Sequence, residues 1–228
     1  MAIIHHTTLS PTKLELLADW LPLRPWYRGT EKTAPLAKAG GFRLDDPEGE
    51  VGVEFMVVTD SSGSGSDTES NAEPVAYLVP LTYRGAPLEG AEAGLIGTLE
   101  HGVLGRRWVY DGAHDPVMVE QLLALLAGRV TAQAQSESDT PDPTVEVRSE
   151  GSGAPAGLTG PGTVTDAAGH TEVVVGPAGL DAPTLTLALN RVLRPGPAPS
   201  DGLLAQVLAG WSAPDGSGRR GAFAYLRP

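Results

Sequence analysis

The chain has 228 residues, no cysteine and a formal net charge of −12 at neutral pH. The missing cysteines exclude disulfides, thiolate metal sites, iron–sulfur clusters and a cysteine nucleophile. With lysine only at Lys13, Lys32 and Lys38, the acidic balance disfavours both nucleic acid and anionic membranes as partners. No stretch reaches the roughly 18 apolar residues of a membrane span and no leader pattern opens the chain, so a cytoplasmic location is expected.

The first predicted element is a short amphipathic helix. Ser10-Pro11 supplies an N-cap and a first-turn proline, and an apolar stripe follows at Leu14, Leu17 and Leu21. Two alternating segments, 51–58 and 75–83, then predict a pair of antiparallel strands. The polar run 60–67 between them predicts a flexible loop at the hairpin tip.

Pro80 cannot donate a ladder hydrogen bond, which predicts that its strand lies at a sheet edge or carries a bulge. A third strand is expected at 107–110, and Asp115-Pro116 opens a second helix that ends near Gly128. Together these elements predict an α+β first domain, in which helices pack on a curved antiparallel sheet.

The second half begins with an acidic stretch rich in Pro, Gly and Ser, which predicts a linker at 131–162. Strands are expected at 171–175, 184–193 and 222–226. Ser200 could cap a helix whose apolar residues recur at helical spacing: Leu203, Leu204, Val207, Leu208 and Trp211. The resulting division is a domain at 1–130, the linker, and a small β-rich α+β segment at 163–228.

Motifs of enzyme chemistry are missing. There is no phosphate-binding loop, dinucleotide glycine fingerprint, Gly-x-Ser-x-Gly or His-Glu-x-x-His. The most reactive-looking cluster contains His101, Asp111 and His114, whose side chains could ligate a metal or run acid–base chemistry. Its spacing matches no metal signature, and a turn at Asp111-Gly112 explains it as well, so we favour a structural role and expect no cofactor.

Aromatic residues supply the other candidates. Trp26, Tyr27 and Arg28 follow a proline, and Trp108 lies in the third strand. Residues of these types favour partner contacts when they are exposed. Most aromatic side chains are expected in the core, and for Trp26 the pattern leaves surface and core both open.

Several segments, taken in order, resemble the N-terminal cap domain of maltokinases and related aminosugar kinases. They are Pro25-Trp26-Tyr27-Arg28-Gly29 with Lys32, Tyr77-Leu78-Val79-Pro80-Leu81-Thr82-Tyr83-Arg84, Leu95-Ile96-Gly97, and Trp108-Val109-Tyr110-Asp111-Gly112-Ala113-His114-Asp115-Pro116. The resemblance implies a small α+β cap that sits on a kinase N-lobe and holds no phosphotransfer residue.

Beyond the linker, the segment 187–197 looks like the kinase strand that carries the ATP-binding lysine. The position that would align with that lysine is Ala188, so the segment 163–228 resembles a degenerate half N-lobe. The resemblance therefore implies a non-catalytic accessory, regulatory or scaffolding protein of trehalose-to-α-glucan (glycogen) metabolism. Its expected partner is a kinase, a maltosyltransferase or a branching enzyme.

Two alternatives remain open. The chain could be one subunit of a split maltokinase or aminosugar kinase, completed by a separately encoded catalytic lobe. It could instead be a glucan- or small-sugar-binding module, with Trp26, Tyr27 and Trp108 stacking on sugar rings.

Overall fold

A computed structural model describes residues 8–30, 34–62, 74–150, 153–177 and 184–228. Within these ranges the chain forms two α-helices, α1 (Lys13–Trp20) and α2 (Pro116–Leu126). The strands are β1 (Leu9–Ser10), β2 (Leu36–Leu44), β3 (Gly52–Asp60), β4 (Val75–Arg84), β5 (Leu95–His101), β6 (Gly105–Asp111), β7 (Gln133–Ala134), β8 (Glu146–Ser149), β9 (Leu158–Thr159), β10 (Val164–Asp166), β11 (His170–Pro177), β12 (Leu185–Asn190), β13 (Ala205–Ser212) and β14 (Gly218–Arg227). Lys32 and most of the polar loop predicted at 60–67 lie outside the described residues.

The fold is mostly antiparallel sheet with few helices, so the finer expectation of an α+β fold with packed helices is only partly met. The first sheet has the strand order β1-β5-β6-β4-β3-β2-β7. The second has the order β10-β11-β12-β14-β13-β8, with β9 pairing beside β11. No helix in the described part of the chain is long and apolar enough to cross a membrane.

Helix α1 is confirmed, but its predicted cap is wrong. Thr12 is the N-cap and forms a capping box with Glu15, so Ser10 ends strand β1 instead. The helix buries Leu17 and Trp20. Helix α2 is confirmed as predicted, because the Asp115 side chain accepts a hydrogen bond from the Val117 backbone N–H.

The predicted β3–β4 pair is confirmed, whereas the placement of Pro80 at a sheet edge is wrong. β4 lies between β3 and β6 in the interior of the sheet. On this side of β4, β6 pairs only with the residues from Leu81 onwards. Nearer the start of β4, Tyr77 forms an isolated bridge with Val192 instead. Pro80 thus lies in the gap where β4 changes partner, and there its missing N–H is tolerated.

The helix predicted after Ser200 is wrong, because the segment forms strand β13. Val207 and Trp211 face the main core, while Leu208 belongs to a small cluster on the other side of the sheet. A strand covered on both faces is apolar at nearly every position, and such a run can contain helical spacing by coincidence. The strands predicted at 171–175, 184–193 and 222–226 are confirmed as β11, β12 and β14.

Residues 131–162, predicted as a linker, contribute short strands to both sheets. β7 pairs with β2 in the first sheet, and β8 and β9 pair with strands of the second. The boundaries of the predicted domains remain a prediction.

One hydrophobic core joins the two sheets and α2. Its aromatic centre is Phe42, which stacks on Phe55 at 4.5 Å and on Phe223 of β14 at 5.9 Å between ring centroids. A second apolar cluster covers the opposite face of the first sheet, beneath α1 and the segment that follows it. Among the described residues, the main cluster takes no member from β5 or β6.

Candidate functional site

A fully buried arginine, Arg191, lies just beyond the end of β12 and connects the two sheets. Its side chain is fully buried, at 0% exposure. Nη2 donates to Asp111 Oδ2 at 2.6 Å, and Nε donates to Thr171 Oγ1 at 2.6 Å. Thr171 Oγ1 in turn donates to Asp166 Oδ1 at 2.5 Å. This network connects β6 of the first sheet with β10 and β11 of the second.

Arg191 and Leu193 also form backbone hydrogen bonds with strand β4 of the first sheet. The Leu78 N–H donates to the Arg191 carbonyl at 3.0 Å, and the Leu193 N–H donates to the Ala76 carbonyl at 2.9 Å. These bonds fall on the part of β4 that β6 leaves unpaired. The second half of the chain therefore supplies the missing backbone partners of β4.

Trp26 is a core residue, so the surface alternative for this candidate is wrong. Its side chain is 1% exposed. The ring lies 5.1 Å from the Arg191 guanidinium carbon, 5.9 Å from the ring of Trp20 and 6.0 Å from that of Tyr77. A ring enclosed on these sides cannot stack on a sugar or a partner side chain without unfolding of the cluster.

Tyr27 and Arg28 hold the segment after α1 against the sheet. The Tyr27 hydroxyl donates to Asp60 Oδ2 at 2.7 Å, and the Arg28 backbone N–H donates to the Tyr77 hydroxyl at 2.9 Å. Burial and the Asp60 carboxylate raise the pKa of Tyr27 to about 12. A side chain at Gly29 would collide with the Tyr27 hydroxyl. Of the two candidates, only Arg28 has an exposed side chain.

Trp108, like Tyr27, remains partly accessible. It is half-buried on β6, where it pairs across the strands with Thr98 on one side and Arg84 on the other. The guanidinium carbon of Arg106 lies 6.0 Å from its ring centroid. Arg84 is fixed by two hydrogen bonds to Asp115, each 2.7 Å long, which raise the pKa of its guanidinium.

The weak metal candidates have structural contacts and do not form a ligand cluster. His101 Nδ1 accepts hydrogen bonds from the backbone of the β5–β6 turn, and Asp111 binds Arg191 and the Ala113 N–H. His114 packs against Gly94, where an added β-carbon would meet its ring. Within the described ranges, no group of three His, Cys, Asp or Glu side chains is placed to hold a metal ion.

Ala188 lies in the middle of the second sheet, and its small side chain is fully buried. It pairs with Glu172 on β11 and with Tyr225 on β14. Arg227 Nη2 on β14 donates to Glu172 Oε1 at 2.6 Å, although β12 separates the two strands. The ion pair therefore spans β12 diagonally, from the position opposite Thr186 to the position opposite Ala188.

A second polar cluster, centred on Glu54, was not predicted. Lys13 Nζ donates to Glu54 Oε2 at 2.5 Å and Tyr83 donates to the same oxygen at 2.7 Å, while Gln135 Nε2 donates to Oε1 at 2.8 Å. Burial, the largest single influence, opposes ionisation, but the charge and hydrogen bond of Lys13 together with the hydrogen bond of Tyr83 and the charge of Lys38 lower the pKa of Glu54. Burial and the neighbouring carboxylate raise the pKa of Tyr83.

Sequence reasoning also missed Arg191. A single arginine just after an apolar strand gives no signal that its side chain is buried. The partners lie 20 and 80 positions away, at Thr171 and Asp111. For Glu54, the available sign was a carboxylate within the otherwise apolar run 53–58 of β3.

Residues 20–115 match the family model of the maltokinase N-terminal cap domain. The matched region runs from the end of α1 to the N-cap of α2 and covers less than half of the chain. It contains Trp26, Tyr27, Arg28, Trp108 and Asp111. A comparison with curated proteins found no significant match.

Proposed function

Because residues 20–115 match the maltokinase N-terminal cap domain, we propose that the chain is a non-catalytic accessory protein of α-glucan metabolism. The observation that carries the proposal is that the region matching a cap domain is followed by a segment with alanine at position 188, whose described residues, 133–150, 153–177 and 184–228, form strands and no helix. In this proposal the protein works by binding an enzyme of α-glucan metabolism, which is a kinase, a maltosyltransferase or a branching enzyme. The proposed location is the cytoplasm, where such enzymes would be found.

The second sheet supports the non-catalytic part of the proposal. A kinase N-lobe binds nucleotide phosphates through a strand lysine, which is held by a glutamate on a helix. Here the position that we align with this lysine is the fully buried Ala188, which is flanked by Glu172 on β11 and Tyr225 on β14. The described chain between β12 and β13 contains no helix that could carry the glutamate.

The cap itself supports a binding role rather than a chemical one. Three polar side chains in its matched segments have structural partners: Asp111 pairs with Arg191, Asp115 with Arg84, and Tyr27 with Asp60. Side chains that are paired in this way hold the surface of the matched region in a fixed shape. A rigid surface loses little conformational freedom on association, which favours a protein partner.

Binding to purified enzymes tests this proposal. We expect the full chain to bind a maltokinase, a maltosyltransferase or a branching enzyme from the same source in biolayer interferometry. A mixture with the kinase should show no phosphotransfer beyond that of the kinase alone. Binding to none of the three enzymes would contradict the accessory role, and new kinase activity on mixing would favour a split kinase.

A further inference from the structure

The sequence contains three Asp-Gly pairs, Asp111-Gly112, Asp201-Gly202 and Asp215-Gly216, and no Asn-Gly pair. An aspartate that precedes glycine cyclises readily, because glycine has no β-carbon to hinder the approach of its own amide nitrogen. In this reaction the amide nitrogen of the glycine attacks the side-chain carboxyl carbon, Cγ, of the aspartate. Since glycine follows the aspartate at all three sites, the fold decides which of them reacts.

The Asp111-Gly112 pair is protected by burial. Asp111 is 4% exposed, and its carboxylate pairs with Arg191 and accepts a hydrogen bond from the Ala113 N–H. A β-carbon at Gly112 would lie 2.8 Å from Met118, so the peptide bond is closely packed as well. Cyclisation at this site requires the ion pair between the two sheets to break first.

The Asp215-Gly216 pair is exposed, but both of its reacting groups are engaged. Asp215 Oδ1 accepts hydrogen bonds from the Ser217 hydroxyl and, at 2.8 Å, from the Ser217 backbone N–H. The Gly216 N–H donates to the Ala213 carbonyl at 2.9 Å. The bonds from Ser217 also lower the pKa of Asp215, which favours the carboxylate, a poorer electrophile than the neutral acid.

The Asp201-Gly202 pair is exposed and unengaged. The two residues form the centre of a tight turn, in which the Leu203 N–H donates to the Ser200 carbonyl at 3.2 Å. Gly202 has a φ of 67°, as the third residue of a type II turn requires. Within the described ranges, neither the Asp201 carboxylate nor the Gly202 N–H forms a hydrogen bond or ion pair. A β-carbon at Gly202 would meet only Pro228 Cδ, at 3.9 Å, so the surroundings are open.

We propose that Asp201 is a site of spontaneous isoaspartyl formation. The Gly202 nitrogen bonds to Asp201 Cγ and loses its proton, the Cγ–OH bond breaks, and one water molecule leaves a five-membered succinimide. A second water molecule then opens the ring. Addition at Cγ restores aspartate, whereas addition at the former backbone carbonyl leaves the main chain running through Cβ and Cγ, which is isoaspartate. The net reaction is an isomerisation and needs no oxidant or reductant.

The modification would alter the turn beside a small apolar cluster. Leu203 follows the turn directly, is 5% exposed, and packs with Ala198, Leu208 and Ala222 on the side of the second sheet away from the main core. An isoaspartyl link adds one carbon to the main chain and leaves a free α-carboxylate next to it. The turn then cannot close in the same form, so we expect Leu203 to pack less tightly at the start of β13.

Incubation of the full chain at neutral pH and physiological temperature tests the proposal. Circular dichroism confirms that the protein stays folded during the incubation. Chymotryptic digestion separates Asp201 from Asp215, because Trp211 lies between them. Chromatography then resolves each aspartyl peptide from its isoaspartyl isomer, which resists Asp-N protease and is methylated by an isoaspartyl methyltransferase. The matched control is the same chain in denaturant, where all three Asp-Gly pairs are free.

In the folded chain we expect isoaspartate to form at least about tenfold faster at Asp201 than at Asp215, and not at Asp111. In denaturant we expect similar rates at the three sites. Ser217→Ala should raise the rate at Asp215 alone, and Asp201→Glu should abolish the reaction at its own position, because glutamate would have to close a larger ring. Equal rates at Asp201 and Asp215 in the folded chain would overturn the proposal. An unmodified Asp201 under conditions in which the denatured chain reacts would overturn it as well.

Discussion

Arg191 Nη2 lies 2.6 Å from Asp111 Oδ2, in an ion pair that joins the two sheets across 80 positions of sequence. The arginine is fully buried, and the aspartate also accepts a hydrogen bond from the Ala113 N–H. Asp111 therefore has two structural roles, as the counter-charge of Arg191 and as the cap of the short turn that leads to α2.

Asp111→Ala should lower the free energy of unfolding by about 3–5 kcal/mol, because it leaves the Arg191 charge buried without its partner. Chemical denaturation measures this change. As the control, Glu100→Ala removes the exposed partner of Arg106 and should cost less than about 1 kcal/mol. Equal losses of unfolding free energy in the two variants would show that the buried ion pair stabilises the fold no more than the exposed one.

Phe223→Ala tests whether the two sheets unfold together. Phe223 is buried against Phe42 and lies 6.2 Å from Trp211, so truncation should cost about 3–5 kcal/mol. Because the core is shared, we expect circular dichroism and tryptophan fluorescence to report one coincident transition at a lower denaturant concentration. Two transitions, of which only one shifts, would support independent domains at 1–130 and 163–228.

Two glycines of the same strand form a matched pair. At Gly221 a β-carbon would collide with the Arg194 carbonyl oxygen, while at Gly218 no atom lies within 4 Å. Gly221→Ala should therefore destabilise the protein by about 1–3 kcal/mol, because the crossing backbone must move. We expect Gly218→Ala to have almost no effect on the thermal midpoint. Similar effects at both positions would contradict the close crossing at Gly221.

Lys13→Met should destabilise the protein in a pH-dependent manner. The pKa of Glu54 is lowered in the fold, so its ionised form contributes stability above the ordinary carboxyl pKa of about 4.3. That contribution is lost as the pH falls through the lowered value. We expect a loss of about 1–3 kcal/mol at pH 7 and a smaller loss in acid, measured by urea unfolding. A loss that does not vary with pH would mean that packing of the lysine stem is what matters.

The first half of the fold follows well from local patterns. The β3–β4 alternation and the Asp115-Pro116 start of α2 are strong short-range signals, and both are confirmed. Strands β2 and β5 were not predicted. β2 includes two consecutive glycines with positive φ, Gly40 and Gly41, which weaken a strand pattern.

The second half and the candidate site follow less well. β13 is covered on both faces, which removes the alternation that identifies a strand. Whether Trp26 is exposed depends on Trp20, Tyr77 and Arg191, and the last of these lies far away in sequence. Local pattern predicts elements, but it cannot predict which distant groups will enclose a side chain.

Calorimetric titration of ATP with magnesium into the full chain tests the non-catalytic claim most directly. Because the buried Ala188 stands where we propose that the ATP-binding lysine of a kinase would align, we expect no heat of binding and no phosphate transfer to maltose or glucosamine. Maltokinase under the same conditions is the positive control. Micromolar ATP binding, or transfer of labelled phosphate to either sugar, would contradict the account.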